Sequence, residues 1–204
     1  MAGSAVQGFE REVELFRRHG GCLRMSAALR LGIHRKRLYA MRDAGTIQPL
    51  SRGLFRLASL EPLAEPDLVT VAARIPQGVL CLISALSFHE LTTQVPHAID
   101  VALERGMRKP RVDQPPTRFF WFSGPAFNQG IESHKLDGAE IRIYDPEKTI
   151  VDCFRYRNKI GMDVVIEAFR LWRQRRRKKL DVLLKYARMR HVERAMRPYI
   201  EAMP

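Results

Sequence analysis

Arg35, Lys36, Arg37, Tyr39 and Arg42 crowd into eight consecutive positions, and Arg52 follows ten residues later. These side chains share one chemistry. Guanidinium and ammonium groups donate to phosphate oxygens and to O6 and N7 of guanine, and a tyrosine hydroxyl bonds phosphate. A solvated helix face carries similar charges, so the run by itself leaves both readings open. A second run, Arg173, Arg175, Arg176, Arg177, Lys178 and Lys179, is denser still. Like charges packed so closely repel one another unless an anion is near. That anion is DNA, RNA or an acidic protein surface.

The other constellations are weaker. Ser84, His89 and Asp100 have the residue types of a hydrolase triad, but no strand–Gly-x-Ser-x-Gly turn surrounds Ser84, which reads as a helix cap. His89-Glu90 lacks the second histidine of a zinc helix; Thr93 stands at that offset. His89 and His97 flank LTTQVP, a segment that reads as tying a helix to a strand. Asp137, Glu140 and Lys148 are spaced too widely for a compact metal site, and Asp137-Gly138 reads as a hairpin turn. Arg155, Arg157, Asn158 and Lys159 end a helix, where the dipole favours cations; a phosphate contact is the equal alternative. Cys22, Cys81 and Cys153 show no paired spacing and read as packing thiols of a reducing compartment.

The charge balance supports a polyanionic partner. The 204 residues carry 35 Lys and Arg against 22 Asp and Glu, a formal +13. Residues 1–60 hold eleven basic and four acidic side chains, and the remaining 144 hold 24 and 18. Positive charge is thus more than twice as dense at the N-terminus. No run of about 18 apolar residues is present to span a bilayer, and no signal peptide is evident. A cytoplasmic protein without a membrane association is expected.

The elements that must position these residues follow from periodicity. Phe9, Val13 and Phe16 lie at helical spacing, and Gly20-Gly21 stops that helix. A short helix runs from Met25 or Ser26 to Leu31, with Ser26 as its cap. Gly32 then turns the chain into a helix over 34–44, whose Leu38 and Met41 face inward and whose end Gly45 closes. Ile47–Leu50 and Leu54–Leu57 read as a hairpin turned by Ser51-Arg52-Gly53, its first strand an edge because of Pro49. Helix, helix, turn, helix, hairpin is the order of a winged helix.

Residues 58–66 read as a linker, and a helix follows to Arg74. Strands are expected within 78–84, 98–104, 118–123 and 139–145, with a helix starting at Ser84. Asp145-Pro146-Glu147 is a strong helix start: cap, proline in the first turn, then an acid at the positive end. Helices follow over 148–157, 162–177, 180–189 and 191–203, so that the second basic run lines a helical face. The expected fold is α+β: a winged helix-turn-helix over 1–60, then a mixed α/β domain over 61–204 that ends in several helices.

The run RLGIHRKRLYAMRDAGTIQPLSRGLFRL resembles the N-terminal domain of AbiEi-family antitoxins. The resemblance continues through GVLCLISALSFHELTTQVPHAIDVAL, FSGPAF, IRIYDPEKTIVDCFRYRNKIGMDVVIEAF and YARMRHVERAMRPYIEAM, and so covers nearly the whole chain. One departure is His34, where the family carries a small capping Ser or Thr. The resemblance implies the antitoxin of a type IV toxin–antitoxin, or abortive-infection, system used in phage defence. It implies a repressor that binds inverted repeats in its own promoter and opposes a nucleotidyltransferase-like toxin without requiring a stable complex. On this reading the chain is not an enzyme and needs no catalytic residue, cofactor or metal. A winged-helix-targeted nuclease and a regulator without a toxin partner are the alternatives.

Overall fold

A computed structural model describes residues 8–137 and 139–202. The chain divides into two compact units, Met1–Pro76 with His134–Ile141, and Gln77–Ser133 with Arg142–Pro204.

The first unit opens with α1 (Glu10–Arg18), β1 (Cys22–Arg24), α2 (Met25–Arg30) and α3 (Arg35–Asp43). A hairpin of β2 (Ile47–Ser51) and β3 (Leu54–Leu57) follows, then α4 (Pro66–Arg74). The helices are amphipathic in the way the spacing predicts. Val13 and Phe16 of α1, Ala28 of α2 and Leu38 and Met41 of α3 are buried together with Leu23, Ile33, Ile47, Phe55 and Leu57. The three strands form an antiparallel sheet in the order β1-β3-β2, so Pro49 does lie on an edge, where its missing N–H costs no ladder bond.

Three details differ from expectation. β1 is a strand that three residues of sequence could not announce; it pairs Cys22 with Arg56 and Arg24 with Leu54. Ser26 lies inside α2 and does not cap it, since Arg24 in extended conformation is the cap residue. The Met25 N–H instead reaches the Gly53 carbonyl at 2.8 Å, so the hairpin satisfies the helix start. The compact unit also runs past residue 60 to Pro76, because α4 packs on all three strands.

α3 ends as expected. Gly45 adopts φ 71°, its N–H reaches the Arg42 carbonyl, and the Thr46 N–H reaches the Met41 carbonyl at 2.8 Å. This paired closure needs a left-handed residue, which glycine supplies at no steric cost. Gly21, after α1, has φ 77°, and a Cβ there would meet Leu60 Cδ1 at 2.2 Å.

The second unit is built on β4 (Val79–Leu80), α5 (Leu82–Phe88), β5 (Ile99–Glu104), β6 (Thr117–Phe122) and α6 (Pro125–Asn128). Next come β7 (Ile131–Leu136) and β8 (Ala139–Tyr144), of which His134–Ile141 is counted with the first unit, and then α7 (Pro146–Arg155). The chain closes with α8 (Arg157–Ile160), α9 (Met162–Gln174), α10 (Leu180–Met189) and α11 (Glu193–Glu201). The mixed sheet has the order β6-β5-β4-β8-β7, with β5 parallel to β6 and antiparallel to β4. The expected turn residue Gly138 between β7 and β8, and the expected helix end at 203, lie outside the described residues.

α7 is the axis of this unit, buried from Glu147 through Phe154. It starts as the sequence dictates: the Asp145 carboxylate accepts the Lys148 N–H at 2.7 Å, and Pro146 occupies the first turn. Its apolar neighbours include Leu82 and Leu86 of α5, Val165 and Phe169 of α9, Leu183 and Ala187 of α10 and Met196 of α11. Cys81 and Cys153 are buried in this core, and burial pushes both thiols well above their ordinary range.

Ser84 lies within α5, whose cap residue is Cys81, and so does not cap the helix. It is buried instead. Its Oγ accepts the Asp100 N–H at 2.8 Å and faces the Ala98 carbonyl. α9 ends at Gln174, so Arg175 through Lys179 form a connection and not the helical face expected of them. The Lys178 ammonium donates to the Arg173 carbonyl at 2.8 Å and the Lys179 N–H to Glu147 at 3.1 Å. A cation on the last carbonyls of a helix is favoured by its dipole, whereas stacking the whole run on one face would set like charges side by side.

A candidate nucleic-acid interface

α3 buries Leu38 and Met41 completely while Arg35, Lys36, Tyr39 and Ala40 are exposed. His34 is the cap residue, but its imidazole makes no cap bond. The Arg37 N–H, in the first turn, reaches the His34 carbonyl at 2.9 Å instead. Lys36 and Tyr39 stand on the outward face, and the Arg42 guanidinium lies 4.9 Å from the centre of the Tyr39 ring while pairing with Asp43 at 2.8 Å.

Arg35 and Arg52 come from different elements and line one concavity of about 400 Å³. Arg24, Ser26 and Arg74 line it with them. Four arginine residues thus line one open depression between the start of α2, the start of α3 and the hairpin turn. Burial, and then the charge of Arg74, lower the pKa of Arg24. Arg74 also shapes the turn. Its Nε donates to Ser51 Oγ at 3.1 Å and its guanidinium donates to the Arg52 carbonyl, while Arg24 donates to the Arg74 carbonyl. Sequence reasoning missed Arg24 and Arg74. Neither belongs to the α3 run, and only folding brings position 74 beside the turn at 52.

Arg37 is placed differently. Its Nε donates to Glu12 at 2.9 Å, its guanidinium donates to the Gly8 carbonyl, and its Cζ lies 4.5 Å from the centre of the Phe9 ring. It braces α3 against the start of α1. The structure therefore brings Arg35 and Arg52 together, sets Lys36 and Tyr39 beside them on α3, and turns Arg37 and Arg42 toward protein partners.

In the second unit, Arg173 is half-buried at the end of α9, and Arg175, Arg176, Arg177, Lys178 and Lys179 are exposed. The triad-like residues do not assemble as a triad. His89 Nε2 lies 2.7 Å from the Tyr144 carbonyl, and Asp100 takes a bidentate bond from Arg118 at 2.7 and 2.9 Å. Burial raises the Asp100 pKa, and the Arg118 bonds oppose that shift. Lys148 is sealed from solvent and bonded to Asp152, and Asp137 accepts the Ala64 N–H at 3.0 Å. Among the described residues no group of three or more His, Cys, Asp or Glu could hold a metal ion. No described helix is long and apolar enough to cross a membrane.

Against known proteins, residues 10–58 match the family described as transcriptional regulator, AbiEi antitoxin. None of the curated proteins matches the chain. Among solved structures it is similar to the crystal structure of the RV2827C protein from Mycobacterium tuberculosis, with a TM-score of 0.52 over 95% of this chain and 80% of that one. At 13% identity this likeness is one of fold alone. The segment matched, residues 10–58, is helix-turn-helix-like and carries Arg24, Arg35 and Arg52 of the concavity, so this part of the chain is similar to the AbiEi-antitoxin family of transcriptional regulators.

Proposed function

We propose that the chain is a DNA-binding repressor and the antitoxin of a type IV toxin–antitoxin system. One observation carries the DNA reading: Arg35 at the start of α3 and Arg52 at the hairpin turn share a single concavity with Arg24 and Arg74. In a winged helix, the second helix of the helix-turn-helix enters the major groove by its N-terminal end, and the hairpin lies against the flanking backbone. Lys36 and Tyr39 then face base edges or phosphate, and the four arginines meet the backbone on one side. The antitoxin reading rests on the family match. On it, the chain represses its own operon at inverted repeats and opposes a nucleotidyltransferase-like toxin, with no stable complex required.

The test is fluorescence anisotropy on the duplex upstream of the chain's own coding sequence. Specific binding that weakens by orders of magnitude between about 50 and 200 mM salt is expected from six or so phosphate contacts. Equal affinity for an unrelated duplex would remove the repressor reading. Co-expression with the adjacent toxin tests the second half. Restored growth supports the antitoxin, and unrelieved toxicity leaves a regulator without a toxin partner.

A further inference from the structure

Beside the end of α7, the second unit holds a cavity of about 350 Å³ that the DNA reading does not use. Arg155, Asn158, Lys159 and Arg190 line it together with Ser123, Tyr156 and the end of β6. None of its lining residues is a carboxylate. Of the cluster the sequence suggested, Arg155, Asn158 and Lys159 reach this cavity. Arg157 instead bonds the Phe154 carbonyl at 3.0 Å.

The charge behind the cavity is unbalanced. Lys148 and Asp152 are fully buried and bonded to each other. Arg190 approaches the same carboxylate, its Nε 2.7 Å from Asp152 Oδ1 and its side chain 13% exposed. Two cations thus share one carboxylate. The Arg190 contact is close but not aligned, since neither Nε nor Oδ1 makes a hydrogen bond. Aromatic rings take part of the excess, with Lys148 Nζ 4.2 Å from the Tyr144 centroid and Arg190 Cζ 4.7 Å from that of Phe122. Buried charge is costly unless an opposite charge is close. Arg155 and Lys159 are exposed, and among the described residues neither is paired with a carboxylate.

Charge decides which anion suits this cavity. Arg155, Lys159, Arg190 and Lys148 are opposed by Asp152 alone. A carboxylate ligand, or a phosphate within a nucleic-acid backbone, brings a single negative charge. Inorganic phosphate and a phosphate monoester bring nearly two, on at least three acceptor oxygens. Arginine forks match those oxygens two at a time, and Ser123 and Asn158 add uncharged donors to the lining. The volume lies at the lower end of the range of about 300–1,000 Å³ typical of small-molecule sites, room for a phosphate with a small group attached. We propose that this cavity binds a dianionic phosphate group on Arg155, Lys159 and Arg190. The group is either inorganic phosphate or the terminal phosphate of a small monoester.

Calorimetry on the full chain tests this with inorganic phosphate, glycerol 3-phosphate and dimethyl phosphate, at constant ionic strength and a slightly alkaline pH. A dianionic probe binds saturably, and dimethyl phosphate, a diester with one charge, binds at least about tenfold more weakly. Tighter binding of inorganic phosphate identifies the free ion as ligand, and tighter binding of glycerol 3-phosphate a monoester. Arg155→Ala with Lys159→Ala weakens the tighter probe at least about tenfold. Both residues are exposed, so the variant keeps its fold, which circular dichroism verifies. Arg170→Ala with Arg194→Ala removes as much charge from exposed positions outside the lining. It leaves the affinity unchanged, because salt screens exposed charges that do not touch the ligand. Absence of saturation with both dianions, dimethyl phosphate binding as tightly as the monoester, or equal losses in the two double variants overturns the proposal. Operator binding by Arg35 and Lys36 is read separately, so either reading can fail alone.

Discussion

Arg37 donates through Nε to Glu12 at 2.9 Å, and this bond joins the outer face of α3 to the first turn of α1. The Arg37 side chain is 44% exposed and that of Glu12 only 14%. A residue that belongs by position to the basic run of α3 is thereby a brace for the three-helix core. This separates two kinds of arginine that look alike in one dimension.

Arg37→Ala is expected to destabilise the chain by about 1 kcal/mol, the worth of a half-exposed ion pair with a cation–π contact. Urea denaturation measures this. Operator affinity, taken at a temperature where the variant is folded, should change less than tenfold. A larger loss of affinity with unchanged stability would return Arg37 to the interface.

The paired variant Arg35→Ala with Lys36→Ala should do the opposite. Neither side chain is in the core, so the melting temperature stays put. Specific operator affinity falls at least tenfold, and the slope of log K against log salt becomes shallower by about 2, one for each phosphate no longer neutralised. Anisotropy at four or more salt concentrations reads both quantities.

The buried cluster on α7 makes an ordered prediction. Asp152→Ala leaves Lys148 and Arg190 without their shared carboxylate and should cost about 3–5 kcal/mol. Lys148→Met costs less, because Asp152 keeps Arg190 at 2.7 Å and the methionine fills much of the same volume. Chemical denaturation of both variants checks the order, and the reverse order would mean that Arg190 does not neutralise Asp152.

Tyr186 donates its hydroxyl to Asp145 Oδ2 at 2.7 Å, and burial, then this bond, raises its pKa above the ordinary tyrosine range. The folded chain therefore holds the phenol neutral where the unfolded chain ionises it. A raised pKa contributes stability that is complete below the unfolded value of about 10 and lost as pH climbs above it. Wild-type stability should fall with pH in that window by up to about 1.4 kcal/mol per unit more steeply than that of Tyr186→Phe. The variant starts lower, by about 1–2 kcal/mol, for the lost hydrogen bond. Denaturation curves at pH 9, 10 and 11 compare the slopes, and parallel slopes would show that the phenol is not held neutral.

Much of the local architecture is written in short stretches of chain. Asp145-Pro146 sets the start of α7, and Gly45 sets the end of α3, because caps depend on the conformation of one or two residues. Leu38 and Met41 mark the inner face of α3, because helical periodicity decides which side is apolar. The basic α3 run and its family resemblance were legible for the same reason, since both lie in contiguous residues.

Folding decided the rest, because distance along the chain says nothing about distance in space. Arg24 and Arg74 are fifty residues apart, yet Arg24 bonds the Arg74 carbonyl and both line the concavity of Arg35 and Arg52. The Gly53 carbonyl, on the hairpin, takes the Met25 N–H, and α2 starts at Met25 with Ser26 inside it rather than at its cap. Arg190 joined Lys148 and Asp152 only when α10 packed on α7. Which positive charges are free to meet an anion, and which are spent on the protein's own carboxylates and carbonyls, is a property of packing.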